Sequence, residues 1–341
     1  MTARRAGPPV GVDPATAFRW RDGERLVIFG RGTAGEAGSV LGSGYALLST
    51  PRAVATTPGL AAAAGSVHEV RPGRVDELAA ALRPRIDAEL LVAFGGGRVI
   101  DVAKALAAAD PPRRVAAIPT TLSGAEMTAI HRHAAGMPAG APRIRPAIVV
   151  NDPALSASQP LASLAASAAN ALGHAAEGPI TPLSSPLPTL AALAAAGAIA
   201  SALADPDHPD RDALALGALL AGYVIGSTGY GLHHVLSQTL VRFGGLGHGQ
   251  ANAVLLPHTI TALARRTPDW IGQLGVALDQ DPAGFASQLA ALAGTERLSE
   301  AGVEESALPG LAEQAATRPE LHMTPPAADR QELLELLQAA Y

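Results

Sequence analysis

The chain has 341 residues, of which 48% are hydrophobic, and this allows a large buried core and predicts about two domains. Its net charge is −5 and it has no long basic run, which disfavours a nucleic-acid-binding surface. It contains no cysteine, which excludes disulfides and thiol chemistry, and its apolar stretches are interrupted before they reach the length of a membrane span. We therefore expect a cytoplasmic protein that acts without nucleic acid or membrane.

The first half of the chain alternates short apolar runs with a helical segment. The apolar runs are candidate strands, and they lie at residues 26–29, 45–50, 90–94 and 115–119, with a helix predicted at 75–82. Short, wholly apolar strands between helices predict a parallel sheet that is covered on both faces. This is an architecture that commonly binds nucleotides.

The second half is predicted to be helical. Candidate helices lie at 161–178, 188–204, 211–246 and 251–266, and an amphipathic tail runs over 329–340. Because the pattern changes near residue 153, we predict an α/β domain over residues 1–153 and an all-helical domain over 154–341.

Two segments follow predicted strands and carry residue types that suit a bound phosphate or ribose. Gly95, Gly96 and Gly97 join a strand to a helix, and phosphate binding and a tight turn are equal alternatives for them. The hydroxyls after residue 119 suit a phosphate or ribose, but taken alone they favour a capping box between Ser123 and Glu126.

Three histidines are the strongest indication of chemistry. His174 lies one helical turn after Asn170, while His234 and His248 are each flanked by glycine-containing segments. Such a set can ligate a metal, polarise a carbonyl or move a proton. The remaining histidines at 68, 208 and 322 lie in polar contexts and are predicted to be surface residues.

Taken in order, these motifs resemble the iron-containing alcohol dehydrogenase superfamily, and within it the maleylacetate reductase branch. The resemblance covers nearly the whole chain. The motifs that carry it are Gly95-Gly-Gly-Arg98 with Asp101 and Lys104, Pro119-Thr120-Thr121 with Ser123-Gly124, Asp152-Pro153, Asn170 with His174 and Glu177, Gly231-Leu-His233-His234, and Gly247-His248-Gly. Ser49-Thr50-Pro51, Asn170, the His233-His234 pair and the chain ending at Tyr341 point to the branch.

The resemblance implies an N-terminal Rossmann-like parallel-sheet domain and a C-terminal helical domain, as in the dehydroquinate synthase-like architecture. We expect a homodimer because that is the commonest assembly of soluble enzymes. The resemblance also implies NADH or NADPH as cofactor. The cofactor-binding positions that it implies are Thr50, Gly95, Gly96, Gly97, Arg98, Asp101, Thr120, Thr121 and Ser123.

Four positions depart from the family pattern. Asn170 replaces an aspartate of the four-residue metal site, which weakens cation binding, and Gln238 replaces a further histidine. Thr50 stands where some relatives have an aspartate that rejects the 2′-phosphate of NADPH, so the sequence does not exclude NADPH. Arg98 replaces a serine and either grips or crowds a phosphate.

The resemblance implies a reductase of a small anionic substrate, an unsaturated oxo acid. Hydride from NAD(P)H would attack the double bond, and His174, His234 or His248, with Asn170, would stabilise the enolate without a metal. A protonated histidine would also attract the substrate carboxylates, with Lys104 and Arg132 as further candidate anion contacts. The less favoured alternatives are an alcohol or aldehyde dehydrogenase whose histidines hold iron or zinc, and a degenerate member with a binding or non-redox role.

Overall fold

The computed structural model describes residues 17–138 and 140–341. The described residues form two compact units that divide between Gln159 and Pro160. This division lies six residues beyond the change of pattern at residue 153 in the sequence.

The N-terminal unit contains a seven-stranded sheet. In spatial order the strands are β1-β2-β7-β6-β5-β3-β4, and all neighbours are parallel except β1 and β2. Its strands are β1 (Phe18–Asp22), β2 (Arg25–Phe29), β3 (Ala46–Ser49), β4 (Ser66–Glu69), β5 (Leu90–Gly95), β6 (Arg114–Pro119) and β7 (Ile148–Asn151). Its helices are α1 (Gly38–Leu41), α2 (Pro51–Thr56), α3 (Pro58–Ala63), α4 (Val75–Leu82) and α5 (Gly97–Ala109).

The predicted parallel sheet is confirmed, and the sequence located four of its strands and helix α4. It did not locate β1, β4 or β7. Strands β1 and β4 lie at the two edges of the sheet and carry charged or polar residues, so they lack the apolar run that marks a buried strand. Strand β7 is central and apolar, but it is only four residues long and follows a proline-rich segment.

The sheet is buried on both faces because successive side chains of its central strands point in opposite directions. Leu48 and Ala93 pack in the cluster that includes helices α4 and α5. Leu47 and Phe94, their neighbours along the chain, pack in the cluster on the opposite face with residues of α1 to α3. The parallel strands β3, β5 and β6 thereby end on the same side of the sheet, and the turns that follow their carboxyl ends meet there.

The C-terminal unit is helical where it is described. Its helices are α6 (Leu161–Glu177), α7 (Pro186–Ala202), α8 (Arg211–Thr228), α9 (Leu232–Phe243), α10 (His248–Arg266), α11 (Pro268–Leu278), α12 (Pro282–Ala293), α13 (Leu308–Ala316) and α14 (Arg330–Ala339). The predicted helical half is therefore confirmed, and α6, α7, α10 and α14 lie close to their predicted bounds.

The helical segment predicted over residues 211–246 consists of two helices, because the chain breaks between α8 and α9. Gly229 adopts a left-handed conformation with φ +70°, and Gly231 lies so close to Thr324 that a side chain would not fit. The two helices meet at 100°. Among the described residues no single helix has the length and hydropathy to cross a membrane, and this bent pair meets both criteria only when taken together. The break places His233 and His234 in the first turn of α9.

Candidate active site

The glycine turn of the N-terminal unit lies against the hydroxyl segment that follows β6. Gly95 ends β5 and accepts a hydrogen bond from the backbone N–H of Thr120 at 3.0 Å. A Cβ atom added to Gly96 would lie 3.1 Å from Thr121, and one added to Gly97 would lie 2.9 Å from Ser123 Oγ. The two segments that the sequence singled out therefore form one surface, from which glycine keeps side chains away.

Helix α5 begins at this surface with its N-terminus available to an anion. No side chain caps the helix, and its first turn contains no acidic residue. The first backbone N–H groups and the positive end of the helix dipole can therefore stabilise a phosphate. Arg98 is exposed in this first turn, and Asp101, one turn further on, forms an ion pair with Lys104 at 2.7 Å.

Lys104 does not lie where a ligand could contact it, so the expectation of an anion contact is wrong. Its side chain is fully buried, and Nζ donates to the carbonyl oxygens of Ala125 and Ile130, both at 2.9 Å. It fixes the loop after the hydroxyl segment. Arg132 is partly exposed, and its guanidinium lies 3.8 Å from Asp76.

The capping box predicted for Ser123 and Glu126 is also wrong. The short 3₁₀ turn Ala125–Met127 begins after Gly124, which has a left-handed φ of +69°. Ser123 Oγ accepts from the backbone N–H of Ala125 at 3.3 Å, but Glu126 turns away from Ser123 and does not complete the box. Glu126 is buried and accepts a hydrogen bond from Asn151 Nδ2 at 3.4 Å. Burial raises the pKa of Glu126 to about 7. With Glu126 turned into the core, the hydroxyl of Ser123 stays beside the glycine turn.

Thr50 ends the turn after β3 and caps helix α2. Its Oγ1 accepts a hydrogen bond from the backbone N–H of Ala53 at 3.3 Å. Thr50 also lines a cavity of about 380 Å³ at the carboxyl ends of β3 and β4.

In the C-terminal unit, helices α6 and α9 bring Asn170, His174 and His234 together. The rings of His174 and His234 stack with their centroids 4.7 Å apart and an interplanar angle of 26°. Asn170 Oδ1 lies 3.4 Å from His234 Nε2. All three side chains are buried. The one-turn spacing of Asn170 and His174 thus presents both residues to the first turn of α9.

Glu177 fixes the other side of the His234 ring, a role that was not predicted from the sequence. His234 Nδ1 forms a short hydrogen bond with Glu177 Oε1, while the backbone N–H of His233 donates to Oε2 at 3.0 Å. Burial raises the pKa of Glu177 to about 7 and lowers the pKa of His234 to about 3. Both shifts have one main cause: the buried environment disfavours the charged form of either group. The position of Glu177 three residues after His174 on α6 places both on one helix face, and this spacing could have identified Glu177 from the sequence.

His233 is a structural partner of this cluster. Its Nδ1 lies 2.9 Å from Thr259 Oγ1 and its Nε2 lies 3.0 Å from Asn252 Oδ1. Its ring packs edge-on against His234 at 4.9 Å, and a side chain on Gly173 would come within 2.7 Å of it. Both ring nitrogens are used, so His233 orients His234 and leaves no nitrogen for a ligand.

His248 occupies the first position of α10 and is exposed. Its charge contributes to lowering the pKa of His174 and of His234, which places it in their neighbourhood, and burial is the larger cause for both. The lowered pKa values make His174 and His234 neutral near pH 7. The predicted attraction of carboxylates by a protonated histidine is therefore wrong for these two residues.

Of the histidines predicted to lie at the surface, His208 and His322 are exposed. His68 is buried at the edge strand β4, where its Nε2 lies 2.9 Å from Ser66 Oγ. For His68 the prediction is wrong, because a polar sequence context does not show which face of an edge strand a helix covers.

Both halves of the chain match models of one family. The iron-containing alcohol dehydrogenase model matches residues 26–153, and the C-terminal model of the Fe-containing alcohol dehydrogenase family matches residues 164–341. The chain belongs to the iron-containing alcohol dehydrogenase family. It is accordingly an NAD(P)-dependent oxidoreductase.

Several relatives within this family are maleylacetate reductases. The maleylacetate reductase of Pseudomonas aeruginosa is 32% identical over 284 residues, which cover 79% of each chain. That of Rhizobium sp. strain MTP-10005 is 32% identical over 341 residues, covering 92% of this chain and 95% of that protein. The crystal structure of maleylacetate reductase from Agrobacterium tumefaciens superposes with a TM-score of 0.80 at 28% identity, over 95% of this chain and 97% of that one.

The donor set at the family's metal positions does not fit a resident cation in this member. Position 170 supplies a neutral amide in place of a carboxylate, which weakens the attraction for a divalent ion. Across residues 17–138 and 140–341, no three His, Cys, Asp or Glu side chains are arranged to hold a metal ion. We therefore derive no catalytic step through a metal.

Gln238, which stands at the position of a further histidine in the family, belongs to a polar network on α9. Its Oε1 accepts from Arg318 Nη2 at 3.2 Å. Tyr230 donates to Glu320 Oε1 at 3.1 Å, and its ring centroid lies 6.0 Å from that of His234. The network holds Tyr230 beside His234. Arg318 and Glu320 were not predicted from the sequence, because they lie at least eighty residues along the chain from Gln238 and Tyr230.

Proposed function

We propose that this family member reduces the carbon–carbon double bond of a small anionic unsaturated oxo acid, with maleylacetate as the first candidate. The names of its relatives support the substrate class. The observation that carries the proposal is the buried cluster of Asn170, His174 and His234, fixed by Glu177. This cluster offers neutral hydrogen-bonding groups in place of a set of charged cation ligands.

The glycine turn and hydroxyl segment are the proposed cofactor site. Glycine at positions 96 and 97 keeps open the space beside Thr121 and Ser123 that a Cβ atom would fill, and the first turn of α5 suits a pyrophosphate. Bound NADH or NADPH supplies a hydride from C4 of its nicotinamide ring. The residues proposed to hold it are Thr50, Gly95, Gly96, Gly97, Arg98, Asp101, Thr120, Thr121 and Ser123.

The histidines stabilise the charge that the reduction creates. When hydride adds to the carbon β to the oxo group, the double-bond electrons move to the oxo oxygen and form an enolate. When protonated Glu177 donates to Nδ1, neutral His234 carries its hydrogen on Nε2, on the side of Asn170, and can donate it to that oxygen. His174 and His248 are the further proposed donors, and a proton then reaches the α carbon to complete the saturated oxo acid.

A cofactor-oxidation screen tests this function. Purified protein is mixed with NADH or NADPH and with maleylacetate, a related unsaturated oxo acid or a short aldehyde. We expect saturable cofactor oxidation with the unsaturated oxo acids and formation of the saturated oxo acid by mass spectrometry. Oxidation with aldehydes alone would favour the alcohol or aldehyde dehydrogenase alternative. A lack of NAD(P)H binding in a fluorescence titration would favour the binding or non-redox alternative.

We further propose that the protein works as a cytoplasmic homodimer. Its cofactor and its small anionic substrate are metabolites of that compartment, and two-fold dimers are the commonest assemblies of soluble enzymes. Light scattering coupled to size-exclusion chromatography is expected to give twice the 34.4 kDa chain mass, and a monomer peak would refute the assembly.

A further inference from the structure

A cavity of about 380 Å³ lies one strand away from the proposed phosphate-binding turn. Its walls come from the end of β3, helix α2 and strand β4. Strand β3 pairs with β5, the strand that leads into the glycine turn, and Ser49 Oγ donates to the carbonyl oxygen of Phe94 at 2.7 Å. The cavity and the glycine turn therefore lie side by side at the carboxyl ends of these neighbouring strands.

The walls of the cavity are apolar. Pro51, Val54 and Ala55 form the side provided by α2. Val67 forms the opposite side, and 51% of its surface is exposed although it is a large aliphatic residue in a strand. A flat, weakly polar ring placed between Val54 and Val67 would remove this apolar surface from water. The adenine of a dinucleotide has this shape and polarity.

The charged group of the cavity is Glu69. It is the last residue of β4 and the register partner of Ser49, which precedes Thr50 on the neighbouring strand β3. The other titratable lining residue is His68, which is buried and has its pKa lowered by burial. A carboxylate at a strand end can accept hydrogen bonds from both hydroxyls of a ribose, and it repels a phosphate ester at the 2′ position.

We propose that Glu69 makes this enzyme selective for NADH over NADPH. The proposal rests on the dinucleotide site proposed above, with the adenosine half in the cavity between Val54 and Val67. Relatives with an aspartate at the end of the preceding strand carry the repelling charge at the position of Thr50. In this chain the neighbouring strand β4 supplies the negative charge through Glu69. We therefore expect weak NADPH binding, whereas the sequence alone did not exclude NADPH.

The nearest cation does not cancel this charge. Arg71 Nε lies 3.6 Å from Glu69 Oε2, but its side chain is 77% exposed and it does not line the cavity. Exposed ion pairs of this kind contribute little. Arg52, next to the cavity in sequence, is exposed and donates to Ser158 Oγ at 3.1 Å. Neither arginine lines the cavity, and Glu69 is the acidic residue of its lining.

Fluorescence titration of NADH and NADPH against wild type and Glu69→Gln tests the proposal without turnover. We expect the wild type to bind NADH about tenfold or more tightly than NADPH, and Glu69→Gln to tighten NADPH binding by about tenfold. Adenosine 2′,5′-bisphosphate, used as a competitor, should show the same gain, and the gain should shrink at high salt. Glu89→Gln is the matched control. It removes an exposed carboxylate that lies just before the amino end of β5, away from the carboxyl ends where the cavity lies.

Three outcomes overturn the assignment. Wild-type protein that binds both cofactors equally, or that prefers NADPH, leaves the dinucleotide site standing but removes Glu69 as its selector. A Glu69→Gln protein with an unchanged affinity ratio does the same. Binding of neither cofactor to the wild type defeats the dinucleotide site itself, and with it the proposed reductase.

Discussion

The two candidate regions are built on different physical bases. The glycine turn of the N-terminal unit is a surface of backbone N–H groups and hydroxyls, and it depends on the absence of side chains at Gly96 and Gly97. The cluster of the C-terminal unit depends on side chains that hold one another, with His234 fixed by Glu177 and backed by His233. A backbone site tolerates changes in neighbouring side chains but no added Cβ, whereas a side-chain network loses its arrangement when one member is removed.

Each region also contains one fully buried glutamate whose pKa burial raises to about 7. Glu126 lies beneath the hydroxyl segment and accepts from Asn151, while Glu177 contacts His234. The same desolvation therefore serves two purposes. In one region it makes a core carboxyl easier to protonate, and in the other it favours the uncharged forms of a carboxyl and the histidine that it contacts. The predictions below test this contrast.

Replacing His234 should have the largest effect. His234→Ala removes the donor nearest Asn170, and the loss of one donor to a developing oxyanion lowers turnover by about 100- to 1,000-fold. We expect kcat for an unsaturated oxo acid to fall by that factor, while the Kd for NADH from fluorescence titration stays unchanged. The control is His208→Ala, which removes an exposed histidine paired with Asp205 in the same unit. Unchanged turnover in His234→Ala would show that the cluster is structural.

Glu126 predicts a pH-dependent stability. Its folded pKa of about 7 lies above the ordinary value of 4.5, so the folded state keeps a proton that the unfolded state releases. The stability from this group is fully present below about pH 4.5 and is lost as the pH rises through about 7.

The measurement is urea unfolding of wild type and Glu126→Gln at pH 5 and pH 8. Glutamine mimics the protonated carboxyl, so the variant should gain stability relative to wild type by up to about 3 kcal/mol between those pH values. Glu36→Gln, at an exposed position of the same unit, should show no such trend. A pH-independent difference for Glu126→Gln would mean that Glu126 is ionised in the core.

Adding one methyl group to the glycine turn tests whether cofactor binding there requires a backbone without side chains. Gly97→Ala places a Cβ 2.9 Å from Ser123 Oγ, on the surface proposed to receive a phosphate. We expect NADH affinity to fall by about tenfold, measured by fluorescence titration. Gly59→Ala is the control, because a Cβ at that helical position meets no atom within 4 Å. Equal affinities for the two variants would contradict a phosphate site at the turn.

The sequence predicted the backbone site better than the side-chain network, and the reason is the range of the contacts. Gly95 to Gly97 and the hydroxyl segment each follow a strand, and adjacent parallel strands bring their ends together whatever the rest of the fold does. Local pattern was therefore sufficient to find that surface. Pattern misled where a residue turned inward, as it did for Lys104 and Glu126.

The histidine cluster needed information that no single segment contains. Asn170 and His174 show their shared face by helical spacing, but their contact with His234 spans about sixty residues and depends on the break after Gly229. The hydrogen bond between Glu177 and His234 depends on the same break, because the break sets which histidine ring of α9 faces Glu177. A helical prediction over residues 211–246 without this break could not identify Glu177 as the partner of His234.

Removal of metal is expected to have the smallest effect, and it sharpens the contrast between a hydrogen-bonding cluster and a cation cage. Asn170 contributes no negative charge to a site, so the histidines alone would have to hold a divalent ion. Dialysis against a chelator should therefore leave kcat/KM for the unsaturated oxo acid unchanged. Asn170→Asp is the informative partner variant, since a carboxylate restores the charge that a divalent ion requires. That variant should bind Zn²⁺ by calorimetry more tightly than the wild type does. Loss of wild-type activity on chelation, with recovery on adding Fe²⁺ or Zn²⁺, would show that the histidines act as ligands and that the short Glu177 contact orients a metal-binding ring.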